Sequence, residues 1–130
     1  MTMDKEAKKV LIIDDDIGIA NMIRAIFRIG NVDAAYASNG DEAFKLMDTE
    51  NLGMVICDIM MPDISGFDVL KHVRAHERIK DIPFLFLSSL SSPEDIKKGI
   101  DAGTDKYITK PFTARELLDV IKEFMTEPEA

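Results

Sequence analysis

A chain of 130 residues with 46% hydrophobic content fits one domain with a proper core, expected to span 1–130 with its folded part at about 8–125. Its net charge of −8 repels DNA and anionic membranes, which excludes direct nucleic-acid and membrane binding and leaves proteins and small phosphorylated molecules as partners. A single cysteine, Cys57, excludes an internal disulfide, the charged first residues exclude an apolar signal core, and no run reaches membrane-span length, so the chain is expected in the cytoplasm.

From the N-terminus, β1 (9–13) holds the apolar run Val10-Leu11-Ile12-Ile13 and closes on Asp14 and Asp15. α1 (16–29) carries an apolar stripe of Ala20, Ile23 and Phe27, with Gly30 as its stop. β2 (32–36) is a mixed run suited to a sheet edge, and α2 (41–49) follows it. β3 (53–57) is the run Met54-Val55-Ile56-Cys57, closing on Asp58. α3 (66–77) sets His72 and His76 one turn apart; no third metal ligand accompanies them, so a solvated face is expected. β4 (83–87) is the run Phe84-Leu85-Phe86-Leu87, with Ser88 just beyond it. α4 (93–102) opens on a Ser92 cap, Pro93 and two acids, and Gly103 ends it. β5 (106–109) is a second mixed run, closing on Lys110. α5 (113–125) has a capping box in Thr113 and Glu116 and a stripe of Leu117, Val120, Ile121 and Phe124. The ends at 1–7 and 127–130 are expected to fray.

Strict alternation of strand and helix implies a doubly wound α/β fold with right-handed crossovers. Placing the mixed strands at the edges gives a parallel five-stranded sheet of order 2-1-3-4-5, with the switch point between β1 and β3. Ligands in such sheets bind beyond the carboxyl ends of the strands, which is where Asp14, Asp15, Asp58, Ser88 and Lys110 converge. Hard cations such as Mg²⁺ take carboxylate oxygens together with water and phosphate. A carboxylate can also act as nucleophile and form an aspartyl phosphate, with a metal and a lysine balancing the transferred charge. Asp58, alone at the end of the middle strand, is the expected attacker.

These residues carry a family resemblance. Val10 to Asp16 resembles the acidic opening of the receiver domains of two-component response regulators, including chemotaxis-type regulators. Asp58-Ile59-Met60-Met61-Pro62 with Ser65-Gly66 resembles their phosphoacceptor segment, and Lys110-Pro111-Phe112 their closing lysine motif. Thirty residues separate Asp58 from Ser88 and twenty-two separate Ser88 from Lys110, spacings that also fit. The resemblance implies a flavodoxin-like (βα)5 three-layer sandwich. It implies that Asp58 takes a phosphoryl group from a histidine of a sensor kinase or phosphotransfer protein, with Mg²⁺, or Mn²⁺ in its place, held by Asp14, Asp15, Asp58 and the backbone carbonyl of Met60. Lys110 would bind a phosphate oxygen through a segment with a cis Lys110-Pro111 bond. Ser88 would hydrogen-bond the phosphoryl group, and Tyr107 would turn between exposed and buried states as the output switch.

The resemblance further implies a phosphorelay signalling module that catalyses its own aspartyl phosphorylation and dephosphorylation, not a separate enzyme. It acts on an unnamed downstream protein, as a monomer or a phosphorylation-dependent homodimer. Lys106 stands where winged-helix regulators often carry an acid, which weakens the case for their α4-β5-α5 dimer. No effector domain follows α5 in this sequence, so a stand-alone receiver or a piece of a longer regulator is expected. Asp14-Asp15-Asp16 also satisfies the Asp-x-Asp of haloacid-dehalogenase-like phosphatases, with Asp14 as nucleophile and Asp16 as acid. That reading lacks a late acidic pair and room for a cap. A phosphorylation-independent interaction domain would not require the acidic, hydroxyl and lysine set together.

Overall fold

Along β1 (Lys9–Ile13) side chains alternate between two apolar faces: Val10 and Ile12 enter one cluster, Leu11 and Ile13 the other. Both faces are covered, so the strand reads as a continuous hydrophobic run. β3 (Leu52–Cys57) and β4 (Phe84–Ser88) are buried along their whole length in the same way. The structure, a computed structural model, describes residues 8–125. The fraying expected at 1–7 and 127–130 lies outside them.

The remaining elements are α1 (Ile17–Ile29), β2 (Ala34–Ala37), α2 (Gly40–Thr49), α3 (Gly66–Ala75), α4 (Pro93–Ala102), β5 (Lys106–Thr109) and α5 (Ala114–Met125). The strands form one parallel sheet in the order β2-β1-β3-β4-β5, as the alternation and the mixed edge strands predict. α1 and α5 pack one face through Ile23, Phe27, Leu117 and Ile121. α2 and α3 pack the other through Met47, Val69, Leu70 and Val73. Full burial of side chains of this size contributes about 1.5–3 kcal/mol each.

The helix starts follow their expected chemistry. Asp16 caps α1 by accepting from the Ile19 amide at 3.2 Å, Ser92 caps α4 from the Asp95 amide at 3.1 Å, and Thr113 and Glu116 close the capping box reciprocally at 2.7 and 3.0 Å. Most boundaries fall within one residue of the sequence reading, and three of the differences have a visible cause. β2 begins at Ala34, because Asn31 turns at φ 58° and the Val32 amide is still tied to the Phe27 carbonyl. α3 ends at Ala75, where His76 leaves the helical region at ψ 125°. β4 extends to include Ser88, which pairs in register with Thr109.

Two arginines secure the end of the sheet away from the carboxyl termini of the strands. Arg74 donates to the carbonyls of Lys80, Ile82 and Gly103 and pairs with Asp105 at 2.9 Å. The same Asp105 oxygen accepts the Phe84 amide at 2.8 Å, joining the starts of β4 and β5. Arg78 donates to the carbonyls of Met47 and Glu50 at the end of α2.

Candidate functional site

Past Ile13 the chain leaves the sheet, and every polar group of Asp14 finds a partner. Its amide donates to the Ala37 carbonyl at 3.2 Å and its carbonyl accepts from the Tyr36 hydroxyl at 2.8 Å. Its carboxylate accepts from the Asp16 amide at 2.9 Å and from Lys110 Nζ at 3.1 Å. That satisfaction is what permits a carboxylate only 2% exposed. Asp15, next in the chain, is exposed. Tyr36 carries no signal in the sequence: nothing in an edge-strand aromatic says that its hydroxyl braces the acidic loop from the neighbouring strand.

Asp58 extends the β3 ladder by donating its amide to the Ile13 carbonyl at 2.9 Å, which brings it alongside Asp14 at the switch point. Its Oδ1 accepts from the Ile59 amide at 2.7 Å and its Oδ2 lies 3.5 Å from Lys110 Nζ. Burial pushes its pKa up, Lys110 opposes this and Asp14 adds to it, so the net shift is upward. The turn that follows is held tightly. A Cβ on Gly66 would stand 2.4 Å from the Asp58 carbonyl oxygen, and only glycine allows that approach. Met60 is joined to Ser65 by an isolated bridge, with its side chain 64% exposed.

Carboxylate oxygens of Asp14, Asp15 and Asp58 all lie within 4.8 Å of one another. This hard, all-oxygen donor set fits a divalent cation such as Mg²⁺. Three carboxylates against one ammonium leave two negative charges, the number such an ion would match. Burial disfavours the charge on Lys110, but Asp14 and Asp58 outweigh it and raise its pKa.

The Lys110-Pro111 bond is cis, as expected. Ser88 is 1% exposed, its carbonyl accepts the Lys110 amide at 2.9 Å and its Oγ accepts the Leu90 amide at 3.1 Å. Tyr107 is half-buried, edge-on to Phe86 at 6.1 Å, with its hydroxyl donating to the Leu90 carbonyl at 2.6 Å. Burial raises its phenol pKa, while a contact with the Ser88 side chain pulls it back.

Two other sequence candidates settle elsewhere. His72 stacks on Phe44 with centroids 3.9 Å apart and His76 pairs with Asp48 at 2.9 Å. Both are half-buried against α2, where the sequence reading expects a solvated face. Cys57 is fully buried beside Asp58, and burial, with Asp58 and Asp14 nearby, pushes its thiol well above its usual range.

The family profile described as the response regulator receiver domain matches residues 10–122. The chain belongs to that family. Among solved structures, this receiver domain superposes on the chemotaxis protein CheY4 of Vibrio cholerae with a TM-score of 0.85, at 29% identity and covering 92% of this chain and 99% of that one. It superposes on the Francisella response regulator 1452 receiver domain with a TM-score of 0.82, at 36% identity, covering 91% and 96%. In sequence it is 30% identical over 127 residues to the probable transcriptional regulator ycf27 of Cyanophora paradoxa, covering 98% of this chain and 52% of that protein. The receiver domain thus spans about half the length of the curated relatives it matches. Among the described residues, no helix is long and apolar enough to cross a membrane.

Proposed function

We propose that this receiver domain is a phosphorylation-driven signalling module in which Asp58 accepts a phosphoryl group from a phosphohistidine of a sensor kinase or phosphotransfer protein. The observation that carries the reading is the convergence of Asp14, Asp15 and Asp58 within 4.8 Å, with Lys110 Nζ 3.1 Å from the buried Asp14 carboxylate and 3.5 Å from the half-buried Asp58. An Asp58 oxygen forms the new P–O bond as the donor's P–N bond breaks, and the protonated ring leaves as neutral imidazole. Asp14, Asp15, Asp58 and the Met60 carbonyl are the groups that would hold Mg²⁺ or Mn²⁺, which supplies positive charge against the phosphoryl oxygens. Lys110 contributes a second positive centre beside Asp58.

Ser88 reads the result. Its hydroxyl accepts from Leu90 and still has a proton to donate, so a phosphoryl oxygen on Asp58 can be hydrogen-bonded without losing the Leu90 contact. Interactions formed in only one conformer are what shift a population. The output surface in this reading is the α4-β5-α5 face, where Lys97, Lys98, Lys106, Asp119 and Glu123 are exposed and which would alter with Tyr107. Transfer and hydrolysis are catalysed by the domain on itself, in the cytoplasm, and the −8 charge argues against DNA contact by this unit. Relatives named as transcriptional regulators have about half their length outside the match.

Intact-mass measurement with acetyl phosphate and Mg²⁺, followed by peptide mapping, tests the assignment. The expected result is one phosphoryl adduct on Asp58, absent in Asp58→Asn. A stable adduct on Asp14 with rapid turnover of generic phosphate esters would overturn it in favour of the phosphatase reading. Asp16, required there as the acid, is occupied as the α1 cap.

A further inference from the structure

α4 contains a glycine within it, Gly99, although glycine inside a helix is disfavoured relative to alanine. Gly99 is the buried residue of that helix. A Cβ built on it would stand 2.7 Å from Cδ2 and 2.9 Å from Cε2 of Tyr107, and 3.3 Å from Cδ2 of Phe86. The ring of Tyr107 therefore occupies the space that any other residue at 99 would fill. From that seat its hydroxyl reaches the Leu90 carbonyl at 2.6 Å, and the Leu90 amide is bound to Ser88 Oγ at 3.1 Å.

We infer that Gly99 is a positioning residue for Tyr107: the missing side chain in α4 is the socket that lets the ring stand inward and close the chain Ser88–Leu90–Tyr107. The role of that chain as an output path rests on the function proposed above, but the socket itself belongs to the unmodified protein. With a Cβ at 99 the ring has to shift from its seat, which strains the hydroxyl's hold on the Leu90 carbonyl. The substitution that improves helix propensity in α4 thus weakens the contact joining α4 and β5 to the loop after β4.

A thermodynamic cycle on the unphosphorylated protein tests this by the sign of one substitution in two backgrounds. In the wild-type background Gly99→Ala should lower the melting temperature, because ring and Cβ compete for one volume. In Tyr107→Ala the volume is vacated and Phe86 can give by the few tenths of an ångström needed, so Gly99→Ala should raise the melting temperature through helix propensity. Ring signals of Tyr107 in a ¹³C-tyrosine-labelled sample should move to solvent-exposed positions in Gly99→Ala, while those of Tyr36 stay. Failure of Gly99→Ala to fold, with recovery in the Tyr107→Ala double variant, supports the socket equally. Equal shifts in both backgrounds, unchanged Tyr107 signals, or failure of the double variant to fold overturns it. Because no phosphate is used, these outcomes are separate from whether Asp58 is phosphorylated. If the output path also holds, Gly99→Ala should still take phosphate on Asp58 but lose the phosphorylation-dependent change in exchange at Leu90.

Discussion

Lys110 and Asp14, 96 positions apart in the chain, form a 3.1 Å ion pair whose side chains are only 17% and 3% exposed. Removing the ammonium would leave a buried carboxylate uncompensated beside two others, the costly half of breaking a buried pair. Lys110→Met should therefore lower the stability of the metal-free protein by roughly 3 kcal/mol, seen as a lower urea midpoint at unchanged slope. The lysine pKa is raised above its usual 10.5 in the fold, so its contribution is complete below that pH and is lost as pH rises through the higher folded value. An unchanged midpoint at neutral pH would show that the pair contributes nothing.

For Asp58 the linkage has the opposite sense. Burial holds its pKa above the ordinary 3.8, so the fold is penalised wherever the group is ionised. Asp58→Asn should be more stable than wild type at neutral pH. The advantage should shrink as pH falls through the raised folded value and vanish below 3.8. Melting curves from pH 7 down to the carboxylate range check this, and a constant difference across them would mean that Asp58 is not the group relieved.

Divalent metal should stabilise wild type, because the unfolded chain cannot gather the three carboxylates. At a hundredfold excess over its dissociation constant the gain is about 2.7 kcal/mol, a rise of several degrees in melting temperature that EDTA reverses. Asp15 is exposed, so Asp15→Asn should leave the metal-free midpoint slightly raised, within about 0.5 kcal/mol, while weakening the response to Mg²⁺. Loss of metal-free stability without loss of the Mg²⁺ response would contradict the shared site.

Ser88→Ala removes the acceptor of the Leu90 amide and should cost about 1 kcal/mol. Phosphorylation of Asp58 should survive, since the hydroxyl takes no part in making the bond. What should disappear is the difference in hydrogen exchange across residues 88–110 between the free and beryllofluoride-bound protein. Wild-type exchange that is identical in the two states would leave phosphoryl storage without conformational output as the better account.

Gly66→Ala would set a methyl 2.4 Å from the Asp58 carbonyl oxygen and 2.8 Å from Ile59 Cα. Both neighbours are backbone, so the turn itself has to shift, at a cost of roughly 2–3 kcal/mol. The rate of phosphorylation by acetyl phosphate should fall with it, because the displaced turn carries the Ile59 amide that orients the Asp58 carboxylate. A folded variant with wild-type labelling kinetics would show that the turn's position does not matter to the reaction.

Much of the fold and the site is legible in the sequence because both depend on strand ends. Runs that stop on Asp14, Asp58 and Lys110 have few ways to lie in a parallel sheet, and strand order then follows from which runs are mixed. Ser88 reads as lying one residue past its strand because a hydroxyl at the end of an apolar run looks like loop, whereas its pairing with Thr109 depends on a partner strand distant in the chain. Val32 reads as strand because its own chemistry favours one; the turn at Asn31 that prevents it is a backbone event. Tyr36 and Gly99 escape the sequence for a common reason. Each acts on a residue in a different element or loop, Asp14 and Tyr107, and neither periodicity nor spacing registers a side chain, or its absence, until the fold supplies the neighbour.

Arg74 gives the sheet mechanically unlike ends. Its guanidinium, with Asp105, fastens the starts of β4 and β5 to α3, while the far ends of the same strands carry Ser88 and Lys110. The two strands are cantilevers, clamped at the root and loaded at the tip. If Ser88 is drawn toward a phosphoryl group as proposed, the pull should bend the strand tip and change the loop, not slide β4 past its neighbours, and the register of the sheet should be kept. The amides of Phe84 and Asp105, at the root, should keep one exchange rate in every state of the protein.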